Sequence, residues 1–298
     1  LVSYLCLDGC KPQRAERRHN DPDPRKREYF EGYDLAKIAE IEAREIPHWT
    51  PRIPMIKGYE TTVKRDLERQ GVHLVDDLFT KRNLWALAAI REAAGLGCST
   101  RASDALVFAE TALLLRLTKM NQYRPGVSYP TSIISGTYYL PPISVEAAVW
   151  HHYANKVSRL AKGYQYLREE QPLRSTQLLV STHSASDLRM VPTSSVDHIF
   201  TDPPYGGHVQ YGELNFVWEA WLDLPTKWHD GEIIANSVRG ISEQEWAKRL
   251  RAAMQECYRV VKPGRWVSLC YHDTSEGTWQ LLQDLMTRLM HEDGKLAG

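Results

Sequence analysis

The residues best placed to do chemistry stand together at Asp202-Pro203-Pro204-Tyr205. Asp202 and the Pro203 carbonyl offer two hydrogen-bond acceptors, and Tyr205 offers a flat aromatic face. Two prolines hold these groups stiffly, and fixed geometry is a large source of rate in catalytic sites. The flanks explain how such a turn would be presented. Val196 to Thr201 is a short apolar run of the kind that forms a buried parallel strand. The prolines stop it at once, since proline lacks an N–H for the ladder. Gly206-Gly207 then lets the chain turn away tightly. The acid and the aromatic therefore belong at the carboxyl end of a central strand, where open α/β sheets place their ligands.

The tetrapeptide resembles the (Asp/Asn/Ser)-Pro-Pro-(Tyr/Phe/Trp) signature of S-adenosylmethionine-dependent amino-methyltransferases. Beyond it, Ser195-Val196-Asp197, the Thr201–Gly206 block, Tyr211-x-Glu213-Leu214-Asn215, Val261-Lys262-Pro263-Gly264 and Tyr271-His272 resemble the catalytic part of a bacterial DNA methylase family. The segment FTKRNLWALAAI, from Phe79, is similar to a stretch upstream of that part. Together they cover about half of the chain. The chemistry suits the residues. An adenine N6 or cytosine N4 amine is a weak nucleophile because its lone pair is delocalised into the ring. Acceptors aimed at its hydrogens return density to nitrogen, and an aromatic face can hold a base flipped out of the duplex.

The resemblance implies a Rossmann-like α/β sheet, mostly parallel with helices on both faces, and S-adenosylmethionine as cofactor. It implies a catalytic set of Asp202, Pro203, Pro204 and Tyr205. Cofactor contacts would come from Asp187, Thr201, Asp202 and His272, and substrate contacts from Tyr205, Gly206, Tyr211 and Asn215. The reaction is direct in-line attack on the sulfonium methyl, without a covalent enzyme intermediate. Asp at the first motif position leans toward adenine N6 and leaves cytosine N4 open. Double-stranded DNA is the implied partner, with a restriction or phage-defence partner beside it.

Composition sets the wider limits. The chain has 298 residues and a formal net charge of zero, so any DNA contact must come from local patches rather than a global field. Five cysteines without framework spacing point to a reducing cytoplasm. Cys6, Cys10 and His19 could begin a zinc site, but no second close cysteine pair follows, and loop cysteines are the simpler reading. No metal site is expected. No secretory leader is visible, and the longest apolar stretch, ALVFAETALLLRL, is interrupted by Glu110 and Arg116, so no membrane span is expected.

Residues 1–28 read as a basic, proline-punctuated loop. Its arginines, among them Arg14, Arg17 and Arg25, can touch phosphates or simply be solvated. Residues 29–172 read as a mainly helical region, a candidate target-recognition insertion. Helices are expected at 34–46, 64–70, 79–95, 103–120 and 144–167, with Trp150 and Tyr153 in the core and a short strand at 136–140. Residues 173–298 read as the methyltransferase domain. Strands are expected at 177–182, 196–201 and 265–271, with Cys270 buried, and helices at 212–224, 242–261 and 277–290. Residues 227–239 read as a mobile loop at the rim. Asp187 follows the first of these strands; a helix-capping aspartate is the competing reading.

One family feature is missing. No glycine-rich cofactor loop follows a strand, since Gly95-Leu96-Gly97 follows a helix. The expectation is that the chain, which begins at Leu1, is a fragment whose glycine loop lies upstream. Two other readings compete: a ribosomal RNA base methyltransferase, and a non-catalytic DNA-binding subunit that lost cofactor binding.

Overall fold

Strand β1 (Val196–Thr201) forms at the residues the apolar run predicts, and it pairs in parallel with β2 (Val261–Leu269). The structure, a computed structural model, describes residues 30–96, 99–124, 133–170 and 178–272, together with residues 280, 283, 284 and 287. The basic segment 1–28 and its cysteines, and most of the helix expected at 277–290, lie outside the described residues. The fold is α/β, with many helices and a small two-stranded parallel sheet among the described residues.

The chain divides into two compact units. One comprises residues 1–53, 74–134 and 139–163, and the other comprises 54–73, 135–138 and 164–298. The first is helical, built from α1 (Leu35–Ala43), α2 (Lys81–Gly95), α3 (Thr100–Thr111) and most of α4 (Val149–Glu170). Thr80 caps α2 by accepting from the Asn83 N–H. Of Leu84, Leu87, Ala88 and Ile90, whose spacing predicts a core face, the first three are buried and Ile90 is half-buried. Asn83 is buried as well, because its amide donates to the Leu117 carbonyl at 2.9 Å.

Several expectations in this region need correction. The helix expected at 103–120 stops at Thr111, and a 3-10 turn at Leu115–Leu117 follows. Helix 64–70 is displaced: a π-helical turn occupies Tyr59–Lys64, and turns follow in which Asp66 adopts φ +45°. No strand forms at 136–140, where Gly136 at φ +72° turns the chain and delivers Tyr138 into the core. Trp150 is exposed rather than core. Val149 and Tyr153, four residues apart, share the buried face of α4, and Trp150 lies about 100° away from Val149.

In the second unit, α5 (Tyr211–Leu222) and α6 (Glu243–Val260) connect β1 to β2. Ser242 caps α6 by accepting from the Glu245 N–H at 3.2 Å. Trp246, Leu250 and Met254 recur every fourth residue on α6 and pack against Val267, Leu269 and Tyr271. The opposite face of the sheet is open at Phe200 and Trp266, which are 69% and 67% exposed. Strand β1 is therefore not the buried strand its composition suggests. Segment 178–182 forms no strand, and Leu178, Leu179 and Val180 are exposed, so among the described residues the expected three-strand sheet has two strands. Apolar composition supplies no ladder without a partner edge. Lys262-Pro263-Gly264 does not end α6 as a turn. It forms an irregularity in β2 between the Val196–Val261 and His198–Trp266 pairs, with Gly264 at φ +72°.

Candidate functional site

Asp202-Pro203-Pro204-Tyr205 leaves β1 at its carboxyl end, beside the end of β2, where the Cys270 N–H donates to the Thr201 carbonyl at 2.9 Å. Asp202 is exposed. The Tyr205 hydroxyl donates to one of its carboxylate oxygens, and the Tyr205 ring meets Tyr271 edge-on at 4.9 Å. Hydrogen bonding to Asp202 is the largest cause pushing the Tyr205 phenol up to about 12. Tyr211, at the start of α5, is also raised, first by burial and then by the charges of Asp202 and Glu232. The structure thus brings Asp202, Tyr205 and Tyr211 together and adds Tyr271.

Other expected residues are placed differently. Asp187 caps no helix. Arg189 holds both of its oxygens, at 2.8 and 2.6 Å, and this pairing brings the carboxyl down to about 2. His272 is exposed just beyond β2, and Thr201 closes β1. Asn215 donates to Glu219 at 2.9 Å. Cys270 is exposed rather than buried, because it follows Trp266 and Ser268 on the open face of the sheet. The described residues contain no cluster of three or more His, Cys, Asp or Glu able to hold a metal ion. No helix among them is long and apolar enough to cross a membrane.

Behind the turn lies a buried polar framework that the sequence does not announce. Gly206, at φ +54°, accepts from the Ala235 N–H at 3.1 Å. Gln210 Nε2 donates to the Gly207 and Ala235 carbonyls at 2.9 and 3.0 Å. Asn236 Nδ2 donates to Gln210 Oε1 at 2.7 Å and to Glu213 Oε1 at 2.8 Å. The fully buried Glu213 carboxylate then accepts the backbone N–H groups of Tyr59, Glu60 and Thr61 at 2.7, 2.9 and 3.1 Å. Gly58 is required at this approach, since a Cβ there would sit 2.1 Å from the Glu213 carboxyl.

A second network holds the segment expected to be a mobile rim loop. His229 Nε2 meets Glu219 at 2.7 Å, Trp228 donates to the same carboxylate, and Arg239 pairs with Glu232 at 2.8 Å. His229, Ile234 and Asn236 are buried, so residues 227–239 are an integral part of the unit. A pocket of about 450 Å³ borders Tyr59, Gly207, Gln210, Asn236 and Ser237.

No protein family, curated protein or solved structure matches this chain.

Proposed function

We propose that this protein is an S-adenosylmethionine-dependent DNA amino-methyltransferase acting on an exocyclic base amine, with adenine N6 favoured. The supporting observation is the placement of Asp202-Pro203-Pro204-Tyr205: an exposed carboxylate and an aromatic ring fixed at the carboxyl end of a parallel strand pair. The reading also supposes that the two observed strands belong to a larger Rossmann-like sheet. The donor set fits the group it would serve. An acceptor-rich edge of Asp202, Tyr205, Tyr211 and Tyr271 suits both a cationic methyl donor and an amine that must give up one proton.

In this reading Asp202 and the Pro203 carbonyl accept hydrogen bonds from the two amine N–H groups, and the prolines keep those acceptors from swinging away. As the N–C bond forms, the C–S bond would break to release the neutral thioether, and the one proton the amine loses would pass to Asp202 or solvent. Tyr205 offers its face to the flipped base, and Tyr271, edge-on against it, braces that ring. Before the base arrives, the Tyr205 hydroxyl satisfies Asp202, and that bond yields to the amine on binding. Thr201, Asp202 and His272, at the strand ends, are the residues that would hold the cofactor, which supplies an electrophilic sulfonium methyl. Asp187, the further cofactor contact of this reading, is paired with Arg189.

The test is competition between unmethylated duplex DNA and ribosomal RNA for label from S-adenosylmethionine. Label in DNA supports the reading, whereas label confined to RNA overturns it in favour of a ribosomal RNA enzyme.

A further inference from the structure

The framework behind the turn has one member whose side-chain amide bonds the turn directly. Gln210 is 1% exposed, yet its side chain makes no apolar contribution that a leucine could not. Its amide is read in one orientation. Nε2 faces two carbonyls, of Gly207 and Ala235, while Oε1 faces the Asn236 amide. Asn236 is fixed in turn, because Glu213 takes its other bond and its own Oδ1 accepts the Arg239 N–H at 3.0 Å. A flipped Gln210 would set acceptor against acceptor on one side and donor against donor on the other. The amide thus ties Gly207, two residues beyond Tyr205, to the buried 235–236 segment. The approach is close, for a Cβ on Gly207 would meet the Ala235 carbonyl oxygen at 2.9 Å.

We infer that Gln210, oriented by Asn236 and Glu213, is a positioning residue that fixes the Gly206–Gly207 turn and so sets where Asp202 and Tyr205 stand. The inference rests on the methyltransferase reading for its consequence in catalysis, but its structural half can be tested without activity. Positioning of this kind acts on the reacting geometry and leaves the affinity for remote parts of a substrate unchanged.

The test is Gln210→Glu, nearly the same shape, which places an acceptor against two carbonyls. Hydrogen exchange is followed at the His208 and Ala235 amides, which donate to the Tyr205 and Gly206 carbonyls. Methyl transfer to duplex DNA is measured in parallel. The expected result is at least tenfold faster exchange at these two amides with α6 protection unchanged, and kcat lowered ten- to hundredfold at constant KM for DNA. Gln210→Met, which removes the amide at nearly the same size and leaves the Asn236–Glu213 bond in place, should reproduce both effects. Unchanged exchange at the turn overturns the proposal, as does faster exchange throughout the unit, which would mark Gln210 as a general packing residue. Local loosening with an unaltered kcat overturns it as well. If the wild-type protein transfers no methyl group while exchange at the turn still responds locally, the functional reading fails and the positioning of the turn stands.

Discussion

Glu213→Gln is the substitution whose effect follows most directly from the structure. The carboxylate receives five donors: three backbone N–H groups from Tyr59 to Thr61, the Thr61 hydroxyl and the Asn236 amide. An amide of the same size keeps only one acceptor oxygen. If the NH₂ group replaces Oε2, the Glu60 and Thr61 N–H groups lose their acceptor; if it replaces Oε1, Tyr59 and Asn236 do. The Thr61 hydroxyl is spared either way, because it also reaches the Ile56 carbonyl at 2.7 Å. At least two buried bonds to a charged acceptor are therefore lost, at about 1.5–3 kcal/mol each. The expected loss is about 3 kcal/mol or more, which for a unit of this size lowers the melting temperature by roughly 6 °C or more. Denaturant unfolding measures it, with Glu243→Gln at the exposed start of α6 as the comparison. A change within about 0.5 kcal/mol, the range of surface substitutions, would refute the account of the clamp.

Two further outcomes concern titration. The Tyr205 phenol is raised to about 12 chiefly by its bond to Asp202, so the bond is intact below the usual phenol range and lost as pH rises through about 12. Phenolate absorbance, with Tyr205→Phe as the baseline, should show this midpoint falling toward about 10 in Asp202→Ala, and an unmoved midpoint would contradict the contact. In the helical unit, burial raises Glu110 from 4.5 to about 7 despite Arg91 at 3.4 Å. A raised carboxyl contributes stability below its unfolded value that is lost as pH rises through the folded one. The wild type should lose up to about 3 kcal/mol between pH 4.5 and 8, and Glu110→Gln should flatten that dependence. Equal slopes in the two proteins would show that Glu110 is not the group responsible.

What the sequence made legible was local. Pro203, two residues beyond Thr201, marks the end of β1, Ser242 and Glu245 mark the start of α6, and the spacing of Leu84, Leu87 and Ala88 marks the buried side of α2. These signals are short-range: a missing N–H, a side-chain cap and a helical repeat. What it concealed depends on partners distant in the chain. Gln177 to Thr182 has a strand's composition, but at 178–182 no partner edge meets it. Residues 227–239 look like a polar loop because their histidine, glutamate and asparagine are buried only through Glu219, Arg239 and Gln210. Glu213 stands within the Tyr-x-Glu-Leu-Asn motif, yet four of its five donors lie more than 150 residues upstream. An acid beside a suspected site, followed by an apolar helix face, was the one available hint that it is buried.

The central claim is tested most directly by incubating the protein with labelled S-adenosylmethionine and unmethylated duplex DNA and resolving the nucleosides by mass spectrometry. Asp202→Ala is the blank, expected to lower transfer at least a hundredfold, as removal of a positioned electrostatic group does, while the fold survives. The account predicts label on N6-methyladenine in the wild type and none above background in the variant. Transfer by Asp202→Ala at a near-normal rate, or no label in any DNA nucleoside, would contradict it.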